Sequence, residues 1–318
     1  MKTYVASHNG MLDEFKGQVQ YASPLEADRL VVWQNCEGSF YELSKACKTF
    51  FPKPIYVMQH GRRASRDYGE PLKKPWIGDK FLAWGKWDYE YMTKLRLPVE
   101  IVGCPLNSWL KPKVTHKEKV VLFLPVNTGK EEPDNINIYC ELLKLKLSRI
   151  QSGLTVNYDV LRKQWDKSKI TRHTLSDNFT VITKVLPAHD QKFYTEGVIV
   201  GFQDSAKSQK ILFDLLRNVD VVVSTDEGTA NLFAAAHDVP IVVVDGFKYR
   251  WKQLKEEIPD TQTPGMTHCT LEDLQAVIEY TLAHPDDLRS ERLHLAEQEM
   301  SICSVKDPLS RIHEVIGS

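Results

Sequence analysis

Three short stretches of this sequence set proton-transferring or anion-binding side chains where an apolar run gives way to a loop. The first is Gln59-His60-Gly61, directly after the run IYVM. Imidazole titrates near neutrality, so His60 can take a proton from an acceptor hydroxyl, and Gly61 lets backbone approach a ligand closely. A histidine that only hydrogen-bonds its own loop is the competing reading. The second is Lys184 with His189, in TKVLPAHD. Both can be cationic and both can donate to phosphate; the plainer reading is an exposed polar turn before a helix.

The third stretch is the loop Ser224, Thr225, Asp226, Glu227, Gly228 and Thr229, inside VDVVVSTDEGTANLFAAAHDVPIVVVD. An apolar run, a polar loop, small and apolar residues at helical spacing, and a second apolar run read as a parallel β-α-β unit. Open α/β sheets bind ligands at such loops, where free N–H groups and the helix dipole favour an anion. Hydroxyls and N–H groups here suit a diphosphate. Asp226 and Glu227 fit only if they turn away or meet a sugar hydroxyl. The same residues also read as an N-capping cluster.

Other candidates carry less. Pro125-Val126-Asn127-Thr128-Gly129-Lys130 lacks the first glycine and the spacing of a P-loop, which excludes that ATPase chemistry, though the loop can flank a nucleotide. The basic residues Arg62, Arg63, Arg66, Lys73 and Lys74 are interrupted by Asp67 and Glu70. They read first as a solvated face and second as an anionic acceptor site.

The elements that must position these groups follow from the apolar pattern. In the first third, short runs at 3–6, 30–33, 55–58, 81–84 and 100–102 alternate with turn or helical segments, as in a compact parallel sheet. The proline-bearing segment 104–116 reads as an interdomain linker. A second set of strands is expected at 119–124, 179–184 and 198–201, with helices at 138–150, 206–217 and 271–283, the last capped by Thr270. Residues 285–300 and 308–316 close the chain as helices. The expected fold is α/β, with two Rossmann-like domains facing across a cleft. Residues 1–110 are expected to form the first domain, 111–300 the second, and 301–318 a C-terminal helix packing back toward the first.

Composition agrees with an ordinary soluble globular protein. The chain has 318 residues, 42% hydrophobic and 26% charged, and a formal net charge of −1, which argues against a general nucleic-acid coat. Its six cysteines include no C-x-x-C pair, so neither a disulfide frame nor a zinc site is expected. There is no signal-peptide core and no run of 18 apolar residues. The expectation is a cytoplasmic protein with no transmembrane segment, and with any membrane contact peripheral.

Taken together, the segments resemble the glycosyltransferase-B (GT-B) superfamily, above all its CDP-glycerol glycerophosphotransferase-like and capsule-polysaccharide transferase branches. In these a Q-H-G turn is followed by a strand ending in W-G, a helix, and a strand ending in G-x-P. Here those are Gln59 to Gly61, Trp84-Gly85, and Gly103-Cys104-Pro105. TKVLPAHD is similar to their K-x-H-P element, with extra residues before His189 and Asp190 in place of the proline. The 219–245 unit is similar to their donor-binding unit, with Phe233 where many relatives carry an acid for the ribose.

The resemblance implies a transferase. A nucleotide-sugar or CDP-glycerol-like donor would be held by Lys184, His189 and the loop Ser224 to Thr229. His60 would be the base, with Gln59, Arg62, Arg63 and Arg66 toward a hydroxyl acceptor: a glycan, a lipid-linked molecule or modified DNA. No cofactor and no metal are expected, since those donors can substitute for a metal. Three alternatives stand beside it: a UDP-N-acetylglucosamine 2-epimerase-like enzyme, a viral-type DNA-base glycosyltransferase, and a nucleotide-binding module without catalysis.

Overall fold

In a computed structural model the described residues are 1–6, 12–33, 38–68, 76–115, 119–124, 179–185, 198–201, 205–225, 227–244 and 263–317. The helix expected at 138–150 lies outside them. The chain divides into two compact units, Met1–Leu110 with Ala296–Ser318, and Lys111–Leu295.

In the first unit the described strands form a five-stranded parallel sheet in simple chain order. They are β1 (Thr3–Ala6), β2 (Arg29–Val32), β3 (Ile55–Met58), β4 (Lys80–Ala83) and β5 (Val99–Ile101). Each central strand is a short apolar run because helices cover both faces. Leu30, Val32, Ile55, Val57 and Phe81 form its core with Met92. Flanking helices include α1 (Asp13–Gln18), α2 (Gly38–Phe50) and α3 (Lys86–Lys94). The segment expected as a linker begins as a packed 3-10 turn, Pro105–Trp109, with Leu106 only 1% exposed, so it belongs to this unit. Trp109 Nε1 donates to Glu14 at 2.6 Å.

The second unit holds, among the described residues, a six-stranded parallel sheet. Its strands are β6 (Lys119–Leu124), β7 (Phe179–Val185), β8 (Val198–Gly201), β9 (Val221–Ser224), β10 (Ile241–Val244) and β11 (Thr267–Cys269). In space they run β11-β10-β9-β6-β7-β8. The chain therefore builds outward from β6 on one side, then crosses over and builds outward from β9 on the other. The order reverses between β6 and β9, whose register pairs Leu124 with Ser224. Helices α4 (Ser205–Leu216), α5 (Thr229–Ala236) and α6 (Leu274–Ala283) belong here. Helix α6 begins later than the sequence suggests. Thr270 exchanges hydrogen bonds with Asp273, and that turn precedes the helix instead of capping it.

The division between units falls within α7 (Arg289–Met300), which starts after a turn in which Leu288 has φ 55°. The terminal helix α8 (Pro308–Gly317) lies in the first unit. It buries Ile312, Val315 and Ile316, and its Arg311 pairs with Glu100 of edge strand β5 at 2.7 Å.

Two motif glycines make this C-terminal docking possible. A Cβ on Gly85 would stand 2.4 Å from the backbone oxygen of Gln298. Gly103 has φ +79°, a left-handed turn beside Val305 and Pro308. Gly85→Ala should therefore cost roughly 1–3 kcal/mol, because backbone on both sides must shift. Urea denaturation should show a lower midpoint with an unchanged slope.

Candidate functional site

The first candidate group lies at the carboxyl end of β3. Gln59 is fully buried, and its side chain works inside the fold: Nε2 donates to Gly61 O at 2.8 Å and to Asp88 Oδ2 at 2.9 Å, while Oε1 accepts from Trp84 N–H at 2.6 Å. His60, half-buried, is carried between these anchored neighbours. Asp88, in the first turn of α3, also accepts from Ser65 N–H at 2.9 Å. It therefore clamps both ends of the turn.

Burial pushes the Asp88 carboxyl up to about 7. The Ser65 hydrogen bonds oppose that shift and the Glu299 charge adds to it.

Arg62 and Arg63, expected to meet an acceptor, are both directed at Glu299 of α7. Arg62 makes a forked contact, Nε to Oε2 at 2.7 Å and Nη2 to Oε1 at 3.0 Å. The two side chains are only 3% and 2% exposed. Arg63 Nε reaches Oε1 at 3.1 Å, and its guanidinium lies 5.0 Å from the centre of the Trp87 ring. Arg63 adopts φ 54°, an uncommon conformation for a residue with a side chain, held by contacts on both flanks. Arg66 lies in the 3-10 turn Ala64–Tyr68.

The second group lies in the other unit, at the carboxyl ends of β7 and β9. Lys184 is 4% exposed and donates to Ser208 Oγ of α4 at 2.9 Å. Burial lowers its pKa to about 8. His189 and Asp226 lie outside the described residues. Ser224 and Thr225 are buried, and Ser224 Oγ accepts from Asn231 Nδ2 at 2.7 Å. Gly228 occupies the N-cap of α5, and no side chain caps that helix.

Glu227 turns to the protein. One oxygen accepts from Thr263 Oγ1, and the other lies 3.2 Å from His268 Nε2 on β11. Phe233 is 2% exposed and packs on Phe213 of α4, ring centres 4.9 Å apart.

Sequence reasoning missed Asp88, Glu299, Ser208, Thr263 and His268. Asp88 looks like any first-turn helix acid. Glu299 and His268 are far from their partners in sequence, and nothing local marks them. Ser208 sits in an ordinary helical pattern.

No family model matches the chain, and no curated protein does. Solved structures do. A variant of the wall teichoic acid polymerase TagF superposes with a TM-score of 0.58 at 11% identity, covering 100% of this chain and 89% of its own. The UDP-GlcNAc 2-epimerase from Neisseria meningitidis gives 0.53 at 11% identity, covering 96% and 77%. Sucrose-phosphate synthase from Thermosynechococcus elongatus gives 0.50 at 9%, covering 96% and 75%. At such identities the likeness is one of fold, the two-domain α/β fold of the GT-B type. Among the described residues no helix is long and apolar enough to cross a membrane.

Asp88 also predicts a pH effect. Its folded pKa lies above the unfolded value of about 3.9, so the native state binds the proton more tightly. That contribution is complete at low pH and is lost as pH rises through about 7. Denaturation of Asp88→Asn and of the wild type should therefore show their stability difference moving in the variant's favour between about pH 4 and pH 8.

Proposed function

We propose that this protein moves a glycosyl group, with a glycerophosphoryl group as second choice, from a nucleotide-activated donor to an acceptor hydroxyl. The observation that carries the reading is the reversal of strand order between β6 and β9. Ligands of open α/β sheets sit outside the carboxyl ends of the strands at such a point. Ser224, Thr225 and the start of α5 follow there from β9. N–H groups at a helix start and a helix dipole favour a diphosphate at that place.

Fold relatives support the donor class. TagF has been soaked with CDPG, MnaA from S. aureus determined with UDP, and the Neisseria enzyme determined with UDP-GlcNAc.

In the proposed reaction, His60 accepts the proton of the acceptor hydroxyl as its oxygen attacks the anomeric carbon. The carbon–oxygen bond to the nucleoside diphosphate breaks, and the leaving group takes the electron pair. Lys184, His189 and the α5 N–H groups meet the charge that grows on the diphosphate. Their partial and full positive charges do the work a divalent cation does elsewhere.

His60→Ala should abolish transfer while leaving donor-induced thermal stabilisation intact in a screen of UDP-, CDP-, GDP- and dTDP-linked donors. Undiminished turnover in that variant would remove His60 from the base role.

Lys184 gives a second expectation. An anion prefers the ammonium form, and the free protein loses that proton as pH rises through about 8. Donor affinity should weaken above that pH, as followed by calorimetry. Lys184→Met should bind more weakly at neutral pH and lose this dependence.

A second reading is a UDP-N-acetylglucosamine 2-epimerase-like enzyme. The Glu227–His268 contact favours it, because it sets a carboxylate and an imidazole beside the same loop. Incubation with UDP-N-acetylglucosamine alone separates the two, since only an epimerase reacts without an acceptor.

A further inference from the structure

We propose that Gln59 and Asp88 are a matched positioning pair, which fixes the turn carrying His60 and so sets the direction of its imidazole. The inference rests on the role given to His60 above and extends it to residues that cannot touch a substrate. Both side chains are 0% exposed. Their hydrogen bonds join the residue before His60 to the residue after it, through Gln59 Nε2 and Gly61 O, and tie that unit to α3 through Asp88. Asp88 reaches past it to Ser65, and Gln59 Oε1 holds Trp84 N–H at the start of the α3 turn. The Gln59 backbone N–H adds a bond to Leu82 O of β4 at 3.1 Å. His60 therefore sits in a short segment whose two flanks are fixed by one network.

The pairing has a sense. Gln59 presents N–H to Asp88, and Asp88 presents oxygen to both Gln59 and Ser65. An amide at position 88 cannot satisfy both neighbours, because whichever way it turns, one donor faces another. The charged groups around Asp88 are Arg63, in the same turn, and Glu299, from α7; Arg62 and Arg63 are both paired with Glu299. The matching of donors and acceptors at Asp88 falls to Gln59 and Ser65. Burial raises the affinity of Asp88 for a proton, so its ionisation is linked to the same network.

A reciprocal exchange tests the pair. Asp88→Asn sets donor against donor, and Gln59→Glu sets carboxylate against carboxylate. The double variant Gln59→Glu/Asp88→Asn restores the match with its direction reversed. In it the carboxylate at position 59 can still accept from Trp84 N–H, and the amide oxygen at position 88 can still accept from Ser65 N–H. The donor to Gly61 O is lost, and a carboxylate oxygen then faces that carbonyl oxygen, so the double variant restores the match at position 88 alone.

We expect Asp88→Asn to lower kcat roughly ten- to a hundred-fold with donor binding within about two-fold of wild type, since a small misplacement of a reacting group has that effect. The double variant should recover part of that loss in kcat, the remainder reflecting the missing donor to Gly61 O. Hydrogen exchange of the amides of residues 59–65 provides a readout free of activity: faster in Asp88→Asn, and slowed again in the double variant. If Gln59→Glu alone does not fold, Asp88→Asn and the double variant still decide the question.

An unchanged kcat in Asp88→Asn, with His60→Ala inactive, overturns the positioning pair and leaves the function standing. Full activity of His60→Ala removes the base role of His60, the reading on which the pair rests, and leaves transfer itself standing. In that case the exchange data still judge the pair, which fails if the double variant does not regain protection. Recovered thermal stability without recovered kcat would reduce the pair to a structural contact.

Discussion

Every described strand in both sheets runs parallel to its neighbours, and that one constraint arranges the rest. Parallel strands need crossover connections, the crossovers cover both faces of a sheet, and the carboxyl ends within each sheet then lie on one edge of that sheet. His60 stands beyond one such end, Lys184 near another, and Ser224 closes a third. In the first sheet the strand order follows the chain. In the second it reverses at β6 and β9. The two units therefore share one construction and differ at their strand ends. The first holds a strand-end turn fixed from outside by Asp88, and the second holds the point where the strand order reverses.

That difference explains where the buried polar groups lie. A carboxylate or guanidinium taken out of water costs several kcal/mol unless a well-aligned partner offsets it. The first unit meets that cost around the His60 turn with Glu299 between Arg62 and Arg63, and Asp88 between Gln59 and Ser65. Groups so thoroughly partnered make poor binders and good scaffolding. Lys184 is buried to a similar extent, yet its hydrogen bond among the described residues goes to a neutral hydroxyl. A serine offsets desolvation of the ammonium only in part, which is why the lysine holds its proton less firmly. In the proposed reaction, a donor diphosphate adds the negative charge that Ser208 does not carry.

The architecture was readable in the sequence because apolar period is a local property. The runs IYVM and KVVLFL each became a strand with the expected bounds, the run at 240–244 became one that begins at Ile241, and the parallel α/β class followed from their alternation with helices. The motifs at 84–85 and 103–105 were readable as positions, but their cause was not. Gly85 and Gly103 answer to the backbone of α7 and the segment leading into α8, some two hundred residues later. Arg62 and Arg63 show the same limit. Read locally they are a basic cluster beside a histidine. Their carboxylate comes from Glu299, a residue that no neighbouring pattern distinguishes. Element type is set by near neighbours, whereas the fate of a charge is set by whatever the topology brings beside it.

The loop after β9 shows how such a fate bears on function. Glu227 looked incompatible with a diphosphate, but Thr263 and His268 draw its carboxylate to their side of the loop. Phe233, where an acid would serve a ribose, is packed against Phe213 in the core of the unit. An acid there would bury an unpaired charge, so this position cannot be converted to a sugar-binding carboxylate without rebuilding the α4–α5 contact. In the proposed reaction, the grip on a donor must then come from its phosphates more than from its ribose. A phosphate-centred grip discriminates weakly among nucleosides, so the choice of donor falls to whatever holds the base and the transferred group.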